Sequence, residues 1–136
     1  MYDFGEGVPQ NYKTAFKWYL LAAEQGDAYA QYNLGVMYNN GEGVPQHYKT
    51  AVNWYPLAAE QGIADAQFNQ GVMYDSGYGV LQDYVRAHMW FNIAASSGDK
   101  KASENRDIVA KRVTPANIAE AQDLAQECVK KDYKGC

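Results

Sequence analysis

The sequence has no run of about 18 apolar residues with which to span a bilayer, and its mean hydropathy is −0.53. Gly5, Gly7 and Pro9 break up the first ten residues, so no signal-peptide apolar stretch stands there either. No membrane insertion is expected. Cysteine is scarce, two in 136 residues, which excludes a small fold stapled by many disulfides. Basic residues are scarce over most of the chain: residues 1–99 carry 4 Lys+Arg against 10 Asp+Glu, and residues 100–136 carry 8 against 6. A nucleic-acid partner asks for a concentrated basic surface, so none is expected. Phenylalanine is outnumbered, four against twelve Tyr and three Trp, so most rings carry a polar tip suited to half-buried positions. What the chain does have is 47% hydrophobic residues, enough to bury the core of one ordinary domain.

That apolar material is periodic. Trp18, Trp54 and Trp90 lie 36 residues apart, as do Gly26, Gly62 and Gly98, and Met1-Tyr2, Met37-Tyr38 and Met73-Tyr74. Residues 1–36 match 37–72 at 26 of 36 positions, and 37–72 match 73–108 at 14 of 36, far more than composition produces. The chain is a tandem array in copies 1–36, 37–72 and 73–108, followed by a segment 109–136, all within one solenoid domain.

Each copy encodes two helices. Tyr12 to Gln25 places Ala15, Trp18, Tyr19, Ala22 and Ala23 on one helical face, with Gly26 at the C-cap; this is helix B. Ala28 to Asn40 repeats Ala30, Met37 and Tyr38 one copy later as Ala66, Met73 and Tyr74, and stops at Gly41; this is helix A. Between them, Gly41-Glu42-Gly43-Val44-Pro45-Gln46 reads as a turn. Antiparallel pairs at this period stack into an all-α solenoid. Gly35 and Gly71 interrupt helix A, at about 1 kcal/mol relative to Ala, and are expected where two backbones approach closely. Asp107 stands at that position in the third copy, as befits a last helix A.

The strings Asn33-Leu34-Gly35-Val36-Met37-Tyr38, Gly41-Glu42-Gly43-Val44-Pro45-Gln46, and Trp54-Tyr55 with Ala58-Ala59-Glu60-Gln61-Gly62 resemble the Sel-1-like repeat family, relatives of the tetratricopeptide repeats. The resemblance covers residues 1 to about 108. It implies a right-handed α/α superhelix that acts as an adaptor for protein–protein contacts, often in bacteria, and it leaves the partner open. Three departures stand out. Pro56 falls inside helix B where other copies have Leu20 and Asn92, and removes a backbone bond or bends the helix. Leu81 replaces the turn prolines Pro9 and Pro45. The first copy lacks most of its helix A, which predicts fraying or self-association through an uncovered face carrying Ala15, Tyr19 and Ala22.

Beyond the third copy, Thr114-Pro115 reads as N-cap and N1 of one more helix, with Ile118, Ala121, Leu124, Ala125 and Cys128 on its apolar stripe. It is expected to cap the array. Cys128 and Cys136 are eight residues apart, with Gly135 allowing the chain to turn back. A disulfide would pin the tail in an oxidising compartment; the alternative is a buried thiol and a second on a loose end. The spacing also resembles that of cysteine-rich secreted members of the family, which implies a periplasmic or secreted location.

Catalytic signals are weak. The glycines of Gly41-x-Gly43 recur in every copy and have no phosphate-loop context. Ser97-Gly98-Asp99-Lys100 matches the S-x-x-K of penicillin-recognising enzymes, and some Sel-1-like relatives are described as binding such ligands, but Gly98 ends a helix between the two residues. His47 aligns with Asn11 and Asp83 and reads as a variable surface position, whereas His88 aligns with Phe16 and Val52 and reads as packed; together they form neither a metal site nor a triad. No enzyme, metal or cofactor is expected. The leading function is a non-catalytic interaction module for a protein or peptide partner. A penicillin-type ligand-binding protein or hydrolase and a purely architectural or self-assembling segment are the alternatives.

The binding surface follows from the side of helix A opposite its packing stripe. It carries Tyr29, Tyr32, Asn33, Val36 and Asn40 in the first full helix A, Asp65, Phe68, Asn69, Val72 and Ser76 in the second, and Lys101, Glu104, Asn105 and Ile108 in the third. The resemblance to tetratricopeptide arrays implies that this side lines a concave groove. Tyr32 and Phe68 are its expected anchors. The Asn33, Asn69 and Asn105 ladder offers amides to clamp an extended backbone, unless those amides bond within the array.

Overall fold

The computed structural model describes residues 11–136. Seven helices follow one another: α1 (Asn11–Glu24), α2 (Ala28–Asn40), α3 (Tyr48–Ala59), α4 (Ala64–Ser76), α5 (Tyr84–Ser96), α6 (Lys100–Ala110) and α7 (Pro115–Lys130). The described residues contain no strand, and none of their helices is long and apolar enough to cross a membrane. Helices α1, α3 and α5 are helix B of successive copies, and α2, α4 and α6 are helix A. Met1-Tyr2 and the first turn with Gly5, Gly7 and Pro9 lie outside the described residues.

Short polar side chains start these helices by accepting otherwise unpaired backbone N–H groups. The Asp27 carboxylate accepts from Ala30 N–H at 2.9 Å, Asp83 from Arg86 N–H at 3.1 Å, Asp99 from Ala102 N–H at 3.1 Å, and the Thr114 hydroxyl from Asn117 N–H at 3.1 Å. His47 does the same, its Nδ1 accepting from Thr50 N–H at 3.1 Å. The variable surface position Asn11/His47/Asp83 is therefore a capping position at His47 and Asp83. Helix B ends as its glycines suggest: Gly26 lies at φ 98°, with its N–H donating to Ala23 O and Asp27 N–H donating to Ala22 O.

One detail differs from the sequence reading. Gly35 and Gly71 accommodate a ring rather than a backbone. A Cβ on Gly35 would collide with the Tyr55 ring, and one on Gly71 would meet Phe91 Cδ1 at 2.6 Å. Helix α3 runs through Pro56 to Ala59. Pro56 sits in its last turn, where its carbonyl still accepts from Glu60 N–H at 2.9 Å, so the missing donor is a single lost bond near a helix end.

Repeated glutamines tie each helix A to the end of the helix B before it. Gln31 donates to Ala23 O at 3.2 Å, and buried Gln67 donates to Ala59 O at 3.1 Å. In the earlier copy the Gln31 oxygen in turn accepts from Gln61 Nε2 at 2.9 Å. One copy later the residue at the Gln61 position is Ser97, too short to reach, and the Gln67 oxygen is buried without a partner. Ser97→Gln is expected to restore the link and raise stability by about 0.5–1.5 kcal/mol, read as a shift of the urea midpoint at constant m; an unchanged midpoint would show that the orphan oxygen is satisfied another way.

The C-terminal helix does not stack beyond α6. It docks on α5, and Ala125 and Cys128 join Ala58 and Ala59 of α3, Ala66 of α4, and Met89, Trp90 and Ile93 of α5 in one buried cluster. The reason is apolar supply: α6 buries only Ala102 and Val109 and has little left to offer, whereas α5 presents Met89, Trp90 and Ile93. Cys128 is bonded to Cys136, with their Cα atoms 5.7 Å apart. The resulting loop turns through Asp132, Tyr133 and Gly135 at positive φ and lays Tyr133 against the same cluster.

At the other end, Ala15 is buried and Tyr19 and Ala22 are partly buried. Helix α2 covers this side, with Tyr19, Ala22 and Ala23 packing around Ala30 and Leu34. The large apolar side chains most open on α1 are instead Trp18 and Leu21, 54% and 53% exposed.

Candidate partner-binding cleft

Two clefts open along the side of α2 and α4 opposite their packing stripes. The first, about 250 Å³, is lined by Tyr32, Val36, Asn39, Asn40, Tyr55, Asn69, Val72 and Met73. The second, about 450 Å³, is lined by Tyr32, Asp65, Phe68, Asn69, Asp99 and Lys101. Tyr32 and Asn69 belong to both, so the two form one run touching four helices, α2, α3, α4 and α6.

At their junction the Tyr32 and Tyr55 rings lie 6.3 Å apart, with the Asn69 side chain lining the cleft beside them. Burial raises both phenol pKa values. The Asp65 carboxylate adds to the rise at Tyr32, and the Tyr32 phenol adds to it at Tyr55, while Asn69 pulls both back. Both therefore remain protonated at neutral pH, as neutral donors and acceptors. One copy later the pair becomes Phe68 and Phe91, 5.5 Å apart, with no hydroxyl to bridge. The Lys101 ammonium stands 6.0 Å from the Phe68 ring centre, at cation–π range, and Asp99 is occupied in capping α6.

Of the residues proposed from sequence, Tyr32, Val36, Asn40, Asp65, Phe68, Asn69, Val72 and Lys101 line these clefts. Tyr29, Asn33, Ser76, Glu104, Asn105 and Ile108 do not; Tyr29 is 68% exposed, and the asparagine ladder contributes Asn69 alone. That asparagine stands beside the two phenols and favours their ionised forms. Asn39, Tyr55, Met73 and Asp99 were missed. Met73 recurs as a packing residue and Tyr55 stands in a family motif, yet the edge of a packed side chain still forms the floor of a groove. Tyr32 and Phe68 also pack on buried clusters around Tyr55 and Phe91, so truncating either removes core contacts as well as groove surface.

Ser97 and Lys100 are exposed, line neither cleft and flank Gly98 at φ 94°. His88 is buried with its Nδ1 unpartnered. Burial, then the Arg106 charge, lower its pKa against an opposing pull from Asp107, so it packs as a neutral ring. Among the described residues no group of three His, Cys, Asp or Glu is placed to hold a metal ion.

The Sel1 repeat model matches residues 1–27, 28–63 and 64–99. The chain belongs to the Sel1 repeat family. In that frame a unit begins at helix A, so α2 with α3 and α4 with α5 are the complete Sel1 units. The fold agrees with solved relatives. The crystal structure of a protective antigen of uropathogenic Escherichia coli displaying an SLR fold is 34% identical at a TM-score of 0.90, covering 96% of this chain and 29% of that one. A Sel1 repeat protein from Oxalobacter formigenes is 41% identical at a TM-score of 0.73, covering 79% of this chain and 44% of that one. The present Sel1 chain thus spans less than half the length of either bacterial relative. No curated protein matches it by sequence. Sel1 repeat proteins are typically non-catalytic scaffolds for protein–protein contacts.

Proposed function

We propose that this chain is a non-catalytic interaction module that holds an extended segment of a partner protein in the cleft running from Asn40 to Lys101. The observation that carries this reading is the continuity of the two clefts through Tyr32 and Asn69. A groove of amide, aliphatic and aromatic side chains suits a peptide backbone with alternating side chains, whereas neither lining contains a nucleophile paired with a base. Asp65 and Lys101 give its second half charges of both signs, which select the register of a bound segment more than they add affinity.

The test uses unstructured peptides selected for binding to the wild-type protein. Their binding is expected to perturb the amide resonances of Tyr32, Val36, Asn69 and Val72, and the double charge reversal Asp65→Lys/Lys101→Glu, at two exposed positions, is expected to weaken it about tenfold, or 1.4 kcal/mol, with an unchanged melting temperature. Perturbations confined to α1, α3, α5 or α7, together with unaltered affinity of the double variant, would remove the cleft from consideration.

A further inference from the structure

The surface on which α7 docks exists twice. Its occupied copy is built by Ala58, Ala59 and Gly62 at the end of α3 and by Trp90 and Ile93 on α5, where Ile93 is 1% exposed. A Cβ on Gly62 would lie 3.7 Å from the Tyr133 ring of the tail that follows α7. Thirty-six residues earlier stand Ala22, Ala23 and Gly26 at the end of α1, with Trp54 and Leu57 on α3. Ala22, Ala23 and Trp54 again pack around the next helix A, here through Ala30 and Leu34. No described residue plays the part of α7, however: Leu57 is 43% exposed, and a Cβ on Gly26 would meet nothing within 4 Å.

We propose that this vacant copy, centred on Leu57, is a second interaction surface, and that its partner is an amphipathic helix of another protein with a narrow stripe of small apolar side chains. The occupant's chemistry is read from α7, which fills the equivalent surface with Ala121, Leu124, Ala125 and Cys128. Small residues let a helix lie close to the alanines at the end of a helix B, and a leucine reaches the flank. Two differences adjust the expectation. Asn53 stands where the occupied site has Met89, so the guest meets a polar group at one edge. The Gln61 amide donates to Gly26 O at 3.1 Å across the region matching the seat of Tyr133, so the guest is a helix without a folded-back tail. The surface lies on helices α1 and α3, apart from the residues that line the peptide cleft on α2 and α4, save Tyr55, and adds a second partner class to the array.

A fluorescein-labelled peptide with the sequence of residues 114–131, Cys128 changed to Ala, is a direct probe of the full chain. It is expected to bind with a micromolar dissociation constant. Leu57→Glu, at an exposed position, should weaken binding at least tenfold while leaving the melting temperature unchanged, and Lys101→Glu in the cleft should leave binding as it is. A peptide carrying Ala125→Glu should not bind. Absence of binding by the first peptide at millimolar concentration, or binding insensitive to Leu57→Glu because the peptide displaces the resident α7, overturns the proposal. Concentration-dependent dimerisation of the wild type that Leu57→Glu abolishes would make a second copy of this chain the occupant, and would equally overturn the assignment to a different partner.

Discussion

Trp90→Ala is expected to lower the stability of the chain by about 3–5 kcal/mol, and Trp18→Ala by less than about 1 kcal/mol, although both replace the same letter at the same place in the repeat. Trp90 is 2% exposed, enclosed by Ala58, Ala59 and Ala66 and roofed by Ala125 and Cys128 of α7. Its truncation removes apolar contact on every side and leaves a cavity that helices fixed by their neighbours fill poorly. Trp18 keeps more than half of its surface in water. Set against a typical total of about 5–15 kcal/mol, the first loss is a large fraction of what holds the fold. Urea denaturation of both variants measures it; equal midpoints would mean that α7 contributes nothing over Trp90.

Gly79→Ala is the second large effect, with an expected loss of about 3 kcal/mol or more. Gly79 lies at φ 77°, where an added Cβ costs roughly 1–2 kcal/mol by itself, and that Cβ would stand 2.7 Å from the carbonyl oxygen of Tyr48. The obstacle is backbone in the first turn of α3, which cannot swing aside. Gly98→Ala separates the two contributions, because Gly98 has φ 94° with nothing within 4 Å of its Cβ and so carries the strain alone. Comparable midpoints for the two alanine variants would show that the turn yields and the close approach costs nothing. Gly43 repeats the arrangement one copy earlier, against Tyr12 O at 2.7 Å. The recurring turn glycine thus has a steric reason besides its backbone angle.

These two residues mark where sequence was informative and where it fell silent. Spacing of identical letters located the helices and turns of the repeats closely, because each copy must make the same contact with its neighbour, whereas α7 was read from its own Thr114-Pro115 cap. It gave no sign that Trp18, Trp54 and Trp90 differ in burial, since that depends on where α7 lies, and an amphipathic stripe says that a helix packs without saying on what. Tyr32, Phe68 and Asn69 were legible as groove residues by subtraction of the packing stripe. The junction of Asn69 with two phenols was not, because it requires Tyr55, a residue of another helix that stood out only as part of a family motif. Gln31 and Gln67 recur as plainly as the alanines, yet a buried amide looks like a surface one until its carbonyl partner is known.

The Cys128–Cys136 bond has a mechanical meaning. Apart from α7 on α5, each helix packs mainly on the helices that precede and follow it in the chain, so tension applied at the two ends of the polypeptide meets a stack that separates piece by piece rather than a core that ruptures at once. Helix α1 packs mainly on α2. At the other end the covalent ring shields residues 129–135 from the load, and the pull is delivered directly to Cys128, seated among Trp90, Ala58 and Ala59. Opening the ring with a reductant would add roughly 20 Å of extensible chain and shift the point of loading to the ragged tail, so the bond sets where along the array force is first felt.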